Sequence, residues 1–218
     1  SGSQRREEEI PMVPVSMFKE MELRSVPTGA VFKMVTSSGT TGQKTSKIVL
    51  DERTAAWQQQ TLQRIMADFI GEKRIPMLII DAPNVLRDRA LFSARGAGIL
   101  GFSIFGSKRC YALKEDMSLD LETVEAFLEK AGDGPVLVFG FTYMVWKYFY
   151  EPLKRSGHRL HLEHGFLIHG GGWKKLAGEA VSPGEFKARV AAATGVERVS
   201  NYYGMAEQTG CIYMECPQ

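Results

Sequence analysis

Apolar residues recur along the chain in short runs and at helical spacing, and the two patterns alternate. Short apolar runs bounded by turn or charged residues predict buried strands at Phe32–Thr36, Lys47–Leu50, Met77–Ile80, Phe102–Phe105, Pro135–Phe139, Gly165–Ile168 and Val196–Ser200. Apolar positions three and four residues apart predict helices after Asp51 to Phe69 and at Arg89–Ile99, Asp120–Ala131, Thr142–Leu153 and Gly184–Thr194. The chain therefore alternates strands with helices over most of its length.

Capping residues support the helix boundaries. Asp51 precedes the first long helix and Gly71 follows it, while Ser182 and Glu185 form a capping box whose helix stops at Gly195. Strands that alternate with helices predict an α/β fold, with a mostly parallel sheet flanked by helices on both faces. In such sheets ligands bind beyond the carboxyl ends of the strands, so residues that directly follow strands are the candidates for function.

Composition narrows the class of protein. The 218 residues are 44% hydrophobic, and 27 basic against 25 acidic residues give a net charge of only +2. Nucleic-acid binding is not supported, because no basic stretch is interleaved with aromatic residues. The sequence contains no apolar run long enough to span a membrane and no apolar signal region, which predicts a cytoplasmic protein. Its three cysteines are too few for a disulfide framework.

The ends of the chain are interpreted separately from the domain. Residues 1–10 are predicted to be an expression remnant followed by a charged lead-in, and residues 11–218 one domain. The sequence stops at Gln218 without a terminal helix, which suggests a truncated, incomplete N-terminal domain.

A loop rich in glycine and hydroxyl residues follows the first predicted strand and is the strongest functional signal. Its candidate phosphate-binding residues are Ser37, Ser38, Gly39, Thr40, Thr41, Gly42 and Lys44. Glycine lets backbone N–H groups approach a phosphate chain closely, and the hydroxyl groups and the lysine add donors and positive charge. The spacing does not match a P-loop, and a strand rather than a helix is predicted to follow. The alternative is an ordinary surface turn.

Two further segments directly follow predicted strands. Gly170, Gly171 and Gly172 form one, and in the other Tyr203 is followed by Gly204, with Glu207 three residues after that glycine. An aromatic ring can cover a purine, glycine allows close approach, and a carboxylate can bind Mg²⁺. The alternatives are a tight strand exit, a core tyrosine and a glutamate that merely begins a helix.

Taken in order, these three segments resemble the adenylate-forming superfamily of acyl-CoA synthetases, luciferases and peptide-synthetase adenylation domains. The residues from Pro14 to Leu50 and the ending from Tyr203 to Gly210 are most similar to the acyl-protein synthetases of bacterial luminescence operons, with phenylacetate-CoA ligases as near relatives. The resemblance covers Pro11–Met214 and implies that the chain is part of the N-terminal region of that fold.

The resemblance also implies roles for these residues. The loop from Ser37 to Lys44 would hold the phosphates of ATP, Gly170–Gly172 and Gly204 would lie along the adenine, Tyr203 would stack on it, and Glu207 would bind Mg²⁺. Two residues depart from the family pattern: Lys44 stands where relatives often have proline, and Ala206 where they often have threonine.

The implied reaction is activation of a carboxylic acid, in this family a long-chain fatty acid, as its acyl-adenylate, followed by transfer to a protein thiol. An acyl-reductase is the implied protein partner. The lysine and the acylated cysteine of the family are expected beyond Gln218, so no catalytic residue is assigned, and neither Cys211 nor Cys216 is given that role.

Several alternatives remain open. The protein could be a phenylacetate-type acid–CoA ligase, or a non-catalytic nucleotide-binding or interaction domain. The spacing of His158, His161 and His164 raises a zinc site, which the absence of a predicted helix there disfavours. His169 is equally consistent with a substrate contact and with a satisfied strand end. The aromatic residues between Phe139 and Tyr150 favour a core over an acyl pocket.

Overall fold

A computed structural model describes residues 12–37, 44–86, 94–208 and 212–216. The chain forms two compact units. The smaller runs to Leu62 and includes the segment that starts at Gly204, and the larger runs from Gln63 to Tyr203 and includes the segment that starts at Ile212.

The larger unit is built on a six-stranded sheet in the order β4-β3-β5-β6-β7-β8. Its strands are β3 (Ile75–Ile79), β4 (Gly106–Tyr111), β5 (Val136–Phe141), β6 (Gly165–Gly170), β7 (Arg198–Tyr203) and β8 (Tyr213–Met214). The first five are parallel, and β8 pairs antiparallel with β7. The predicted α/β class with a mostly parallel sheet is confirmed.

Helices cover the sheet. They are α2 (Glu52–Ile70), whose end lies in the larger unit, α3 (Ala94–Phe102), α4 (Leu121–Ala131), α5 (Thr142–Met144), α6 (Glu151–Ser156) and α7 (Pro183–Thr194). Phe102 of α3 stacks on Phe139 of β5 with ring centroids 4.5 Å apart. Phe186 of α7 packs on His169 of β6. The described helices include none that is long and apolar enough to cross a membrane.

The central strands show why the sequence predicted a parallel sheet. Every residue of β5 and β6 is buried, as expected for strands that are covered on both faces. Side chains alternate between the two faces of the sheet. Phe139 packs towards α3, and Ile168, its neighbour in register on β6, lies on the same face. The residues on either side of Ile168 point to the opposite face.

One predicted strand is wrong. Phe102–Phe105 is the end of α3 followed by a 3₁₀ turn at Ser103–Phe105, and the strand is β4 at Gly106–Tyr111. A short apolar run cannot by itself distinguish a buried helix end from a strand. Lys108 and Arg109 concealed the true strand because β4 is at the edge of the sheet, where charged side chains remain exposed.

The helix predicted from Thr142 to Leu153 is present, but a π-helical segment at Val145–Tyr150 joins α5 to α6. Pro152 has no N–H to donate to the carbonyl of Tyr148 four residues earlier, and a local widening of the helix accommodates the missing bond. Trp146, Phe149 and Tyr150 are buried, which confirms that this aromatic stretch belongs to the core.

The smaller unit contains an antiparallel hairpin of β1 (Lys33–Thr36) and β2 (Lys47–Leu50). Short helical turns, α1 (Met17–Glu20) and a 3₁₀ turn at Thr28–Ala30, precede the hairpin. Asp51 then begins α2, since its carboxylate accepts a hydrogen bond from the Thr54 N–H at 2.7 Å. The prediction that the glycine-rich loop connects two strands is confirmed.

Candidate functional site

The ends of the glycine-rich loop are tied together by Ser37 and Ser46. The Ser37 N–H donates to the Ser46 carbonyl at 3.1 Å, and the Ser46 N–H donates to the Ser37 hydroxyl oxygen at 2.9 Å. The Ser37 hydroxyl oxygen therefore joins the two ends of the loop by accepting a hydrogen bond. The hydrogen of the same hydroxyl group takes no part in that bond. The predicted phosphate ligands Ser38, Gly39, Thr40, Thr41 and Gly42 lie outside the described residues.

Lys44 follows the loop in the smaller unit. Its ammonium group pairs with the Glu20 carboxylate at 2.5 Å, with the two side chains 67% and 60% exposed. An ion pair this exposed contributes only about 0–1 kcal/mol, so exchanging Glu20 for another anion costs little. The environment of Lys44 thus remains compatible with a phosphate ligand.

Glu207 and Gly204 also belong to the smaller unit. The Gln208 N–H donates to the Met205 carbonyl at 3.2 Å, which places Glu207 in a tight turn where its side chain is half-buried. Tyr203 and the triple glycine belong to the larger unit. Convergence of all three predicted segments on one ligand therefore stays a prediction.

Within the larger unit, Tyr203 and the triple glycine lie at the carboxyl ends of neighbouring strands. Gly170 of β6 is in register with Tyr202 of β7, so Gly171 and Tyr203 each come directly after this pair. Tyr203 is 59% exposed. The sheet brings these two predicted segments together, at the edge where ligands of parallel sheets bind.

The three glycines differ in their surroundings. A Cβ on Gly170 would lie 2.4 Å from the Tyr202 ring, so the close approach there is made by a residue of the protein. Gly171 has a φ of +74°, a backbone conformation that favours glycine. A Cβ on Gly172 would meet nothing within 4 Å. Of the three, Gly172 has the open surroundings that a ligand needs.

These surroundings permit a purine in part. The exposed ring of Tyr203 offers a stacking surface, and Gly172 has no neighbour that would block it. Gly170 does not fit that role, because the Tyr202 ring already covers its Cα. Adenine binding at Gly171, Gly172 and Tyr203 stays a prediction.

Beneath the glycines, Thr142 and His169 form a buried polar pair. The Thr142 hydroxyl oxygen lies 3.0 Å from His169 Nδ1, 3.2 Å from the Gly170 carbonyl oxygen and 3.0 Å from the Gly171 carbonyl oxygen. Burial lowers the pKa of His169 to about 4, because the charged ring would be poorly solvated there. Sequence reasoning left His169 undecided and missed Thr142, although Thr142 directly follows a buried strand.

A second group of polar side chains, which the sequence analysis did not identify, lies after β3. The Asp81 carboxylate, 2% exposed, accepts bonds from Arg95 Nη2 at 2.6 Å and Nε at 3.0 Å, and from the Ala82 N–H at 2.8 Å. Tyr143, after β5, places its hydroxyl 3.5 Å from Arg95 Nη1. In the sheet, β3 lies between β4 and β5, and the chain goes from β3 to β4 on one side before it crosses to β5 on the other. The gap between the carboxyl ends of β3 and β5 is therefore the topological switch point of the sheet, and this polar group lies there.

Glu215, directly after β8, is held near His169 by two contacts. The Glu215 carboxylate pairs with Lys187 of α7 at 2.9 Å and accepts a hydrogen bond from the Asn201 N–H at 2.9 Å. Burial raises the pKa of Glu215, but its bonds to Lys187 and Asn201 outweigh burial and the net shift is downward. Glu215 therefore stays charged in weak acid.

Cys110 and His158 lie outside the predicted nucleotide-binding segments. Burial, with the nearby Asp120, raises the pKa of the Cys110 thiol to about 11, so Cys110 is protonated at neutral pH and is a poor nucleophile. His158 lies 2.8 Å from the Glu125 carboxylate. Among the described residues no group of three His, Cys, Asp or Glu side chains is arranged to hold a metal ion.

Comparison with known protein families decides the relationship. A family model described as acyl-protein synthetase, LuxE, matches residues 4–218. The chain belongs to the acyl-protein synthetase family. The resemblance inferred from the motifs is confirmed, and the match covers both units of this acyl-protein synthetase chain. A search of curated proteins found no match.

Solved structures similar to this acyl-protein synthetase chain include ATP-bound MatB from Rhodopseudomonas palustris, with 18% identity, a TM-score of 0.48 and coverage of 86% of this chain and 32% of MatB. The amide bond synthetase McbA from Marinactinospora thermotolerans has 16% identity, a TM-score of 0.48 and coverage of 95% of this chain and 34% of McbA. The chain thus spans about a third of the length of each protein.

Proposed function

We propose that this chain is the ATP-binding part of a ligase that activates a carboxylic acid as an acyl-adenylate. The observation that carries the proposal is its membership of the acyl-protein synthetase family over residues 4–218. Two features support it: a loop whose ends are joined by Ser37 and Ser46, suited to phosphates, and the exposed ring of Tyr203, suited to a base.

In this proposal the substrate carboxylate attacks the α-phosphate of ATP, an acyl-phosphate bond forms, and the bond to pyrophosphate breaks. Two anions must approach each other, so the main task of the protein is to neutralise and orient them. Backbone N–H groups of the Ser38–Gly42 segment, the Ser37 hydroxyl hydrogen and the Lys44 ammonium group would hold the phosphates. Lys44 would leave Glu20 to do so.

Glu207 would hold Mg²⁺ in this scheme. Its half-buried carboxylate is an oxygen ligand of the kind that Mg²⁺ prefers, and the ion would supply positive charge at the phosphates. The finer assignments follow the family: a long-chain fatty acid as the carboxylic acid, a protein thiol as the acceptor, an acyl-reductase as the partner, and the cytoplasm as the location. No described cysteine is proposed as the acceptor thiol.

Exchange of radiolabelled pyrophosphate into ATP tests the reaction. We expect exchange that depends on a carboxylic acid and is fastest with long-chain fatty acids among a panel of acids. Exchange with aromatic acids only, together with acylation of CoA, would instead support an acid–CoA ligase. ATP binding without exchange would indicate a nucleotide-binding domain that does not catalyse the first step.

The role of Glu207 can be tested by Glu207→Ala. Loss of the carboxylate should weaken binding of ATP in the presence of Mg²⁺ by about tenfold or more, measured by calorimetry, because a metal ligand is lost. Glu129→Ala, an exposed glutamate on α4, is the matched control and should bind ATP normally. An unchanged affinity in Glu207→Ala would contradict the metal role, provided that circular dichroism shows both variants folded.

A further inference from the structure

The contacts around Thr142 favour one arrangement of protons. Its hydroxyl oxygen has three neighbours at 3.0–3.2 Å: His169 Nδ1 and the carbonyl oxygens of Gly170 and Gly171. Carbonyl oxygens only accept hydrogen bonds, and a hydroxyl group has a single hydrogen to donate. All three contacts are attractive only if the hydroxyl hydrogen is directed to the carbonyls and the hydroxyl oxygen accepts a hydrogen bond from His169 Nδ1–H.

This arrangement determines the tautomer of His169. The ring carries its hydrogen on Nδ1, and Nε2 keeps its lone pair. Its side chain is held in place by the Phe186 ring, whose centroid is 4.5 Å away. Thr142 and His169 are each 5% exposed, so water does not compete effectively for these bonds. Burial also keeps the ring neutral at neutral pH.

The same bonds orient the glycine backbone. Peptide groups are planar and trans, so the C=O and the following N–H point in opposite directions. Because the Gly171 carbonyl is directed to Thr142, the Gly172 N–H is directed away from Thr142. Gly171 reaches this orientation with a φ of +74°, and the position of a Cβ on Gly172 is open. A backbone donor is thus presented at the most open of the three glycines.

We propose that Thr142 and His169 are a positioning pair that fixes the Gly171–Gly172 peptide so that the Gly172 N–H faces an acceptor atom of the bound nucleotide. The identity of the ligand rests on the proposed function. The proton arrangement does not, because it follows from contacts within the larger unit. Thr142 acts through the glycine backbone and is a positioning residue rather than a catalytic one.

The proton arrangement is tested by nuclear magnetic resonance on ¹⁵N-labelled protein without ligand. Two-bond correlations from the ring carbons should show His169 protonated at Nδ1 and bare at Nε2 at pH 7. Thr142→Val, which removes the hydroxyl at nearly constant shape, should change this spectrum, whereas Thr142→Ser should restore it. A His169 protonated at Nε2 alone in the unaltered protein would overturn the pair.

Binding of ATP then tests what the pair does. Thr142→Val should weaken ATP binding about tenfold in calorimetry, whereas Thr142→Ser should stay within about twofold, as expected for loss and retention of a hydrogen bond. Equal affinities of the two variants would overturn the positioning role. If the unaltered protein does not bind ATP, the proposed function and the ligand fail together, while the tautomer still decides whether the pair exists.

Two substitutions of His169 separate its nitrogens. The amide of Asn can place an N–H near the position of Nδ1, whereas the longer amide of Gln reaches the position of Nε2. His169→Asn should therefore retain more ATP affinity than His169→Gln. The reverse order would indicate that Nε2, rather than the bond from Nδ1 to Thr142, matters for binding.

Discussion

Arg95→Met is expected to destabilise the larger unit by about 3–5 kcal/mol, because it removes the guanidinium that pairs with the buried Asp81 carboxylate among the described residues. Asp81 is 2% exposed and accepts two bonds from the Arg95 guanidinium, at 2.6 and 3.0 Å. The Ala82 N–H, at 2.8 Å, would remain as a donor but carries no charge. Unfolding in urea, followed by the fluorescence of the tryptophans and extrapolated to water, measures the loss.

The cause of this loss can be separated from the loss of side-chain packing. In the double variant Arg95→Met with Asp81→Asn, no charge is left buried, and we expect about 2 kcal/mol of the stability to return. Arg155→Met, at an exposed position of α6, is the matched control and should change stability by less than about 0.5 kcal/mol. A double variant no more stable than Arg95→Met would show that charge burial is not responsible.

Elements with a strong period or a clear cap could be predicted from the sequence. The helices that begin after Asp51 and Ser182 were found from their caps, which are local hydrogen bonds between residues three apart. The hairpin around the glycine-rich loop was found because β2 follows it with an apolar run. Edge strand β4 was missed because its sequence reflects solvent on its open side rather than the core.

The candidate site shows a second limit of prediction from sequence, which concerns contacts between residues that are distant along the chain. The sequence does not distinguish the three glycines from one another. Whether each one faces Tyr202, Thr142 or open space depends on the register of β5, β6 and β7. Asp81 and Arg95 likewise acquire their relationship only when α3 packs on the sheet. A simple criterion reduces the number of candidate residues: polar residues that directly follow predicted buried strands. This criterion selects Asp81 and Thr142.

His169 should make the protein lose stability on mild acidification. Its pKa lies near 4 in the folded protein, because burial disfavours the charged ring, whereas an unfolded histidine has a pKa of about 6.5. Between these values the unfolded chain binds a proton that the folded chain does not. Stability is therefore fully present above pH 6.5 and falls as the pH decreases towards 4. At pH 5 this difference of about 1.5 pH units is worth about 2 kcal/mol.

Urea unfolding at pH 7.5 and pH 5.0 measures this dependence in the unaltered protein and in His169→Asn, which cannot titrate there. The charged groups near the ring are Glu215, whose lowered pKa favours its ionised form at pH 5, and Lys187, which pairs with it. The unaltered protein should lose about 2 kcal/mol more than His169→Asn. His161→Asn, at a position whose side chain is 78% exposed, should behave like the unaltered protein. Equal losses with and without the His169 imidazole would mean that this ring accepts a proton as readily when folded as when unfolded, which its burial between Thr142 and Phe186 argues against.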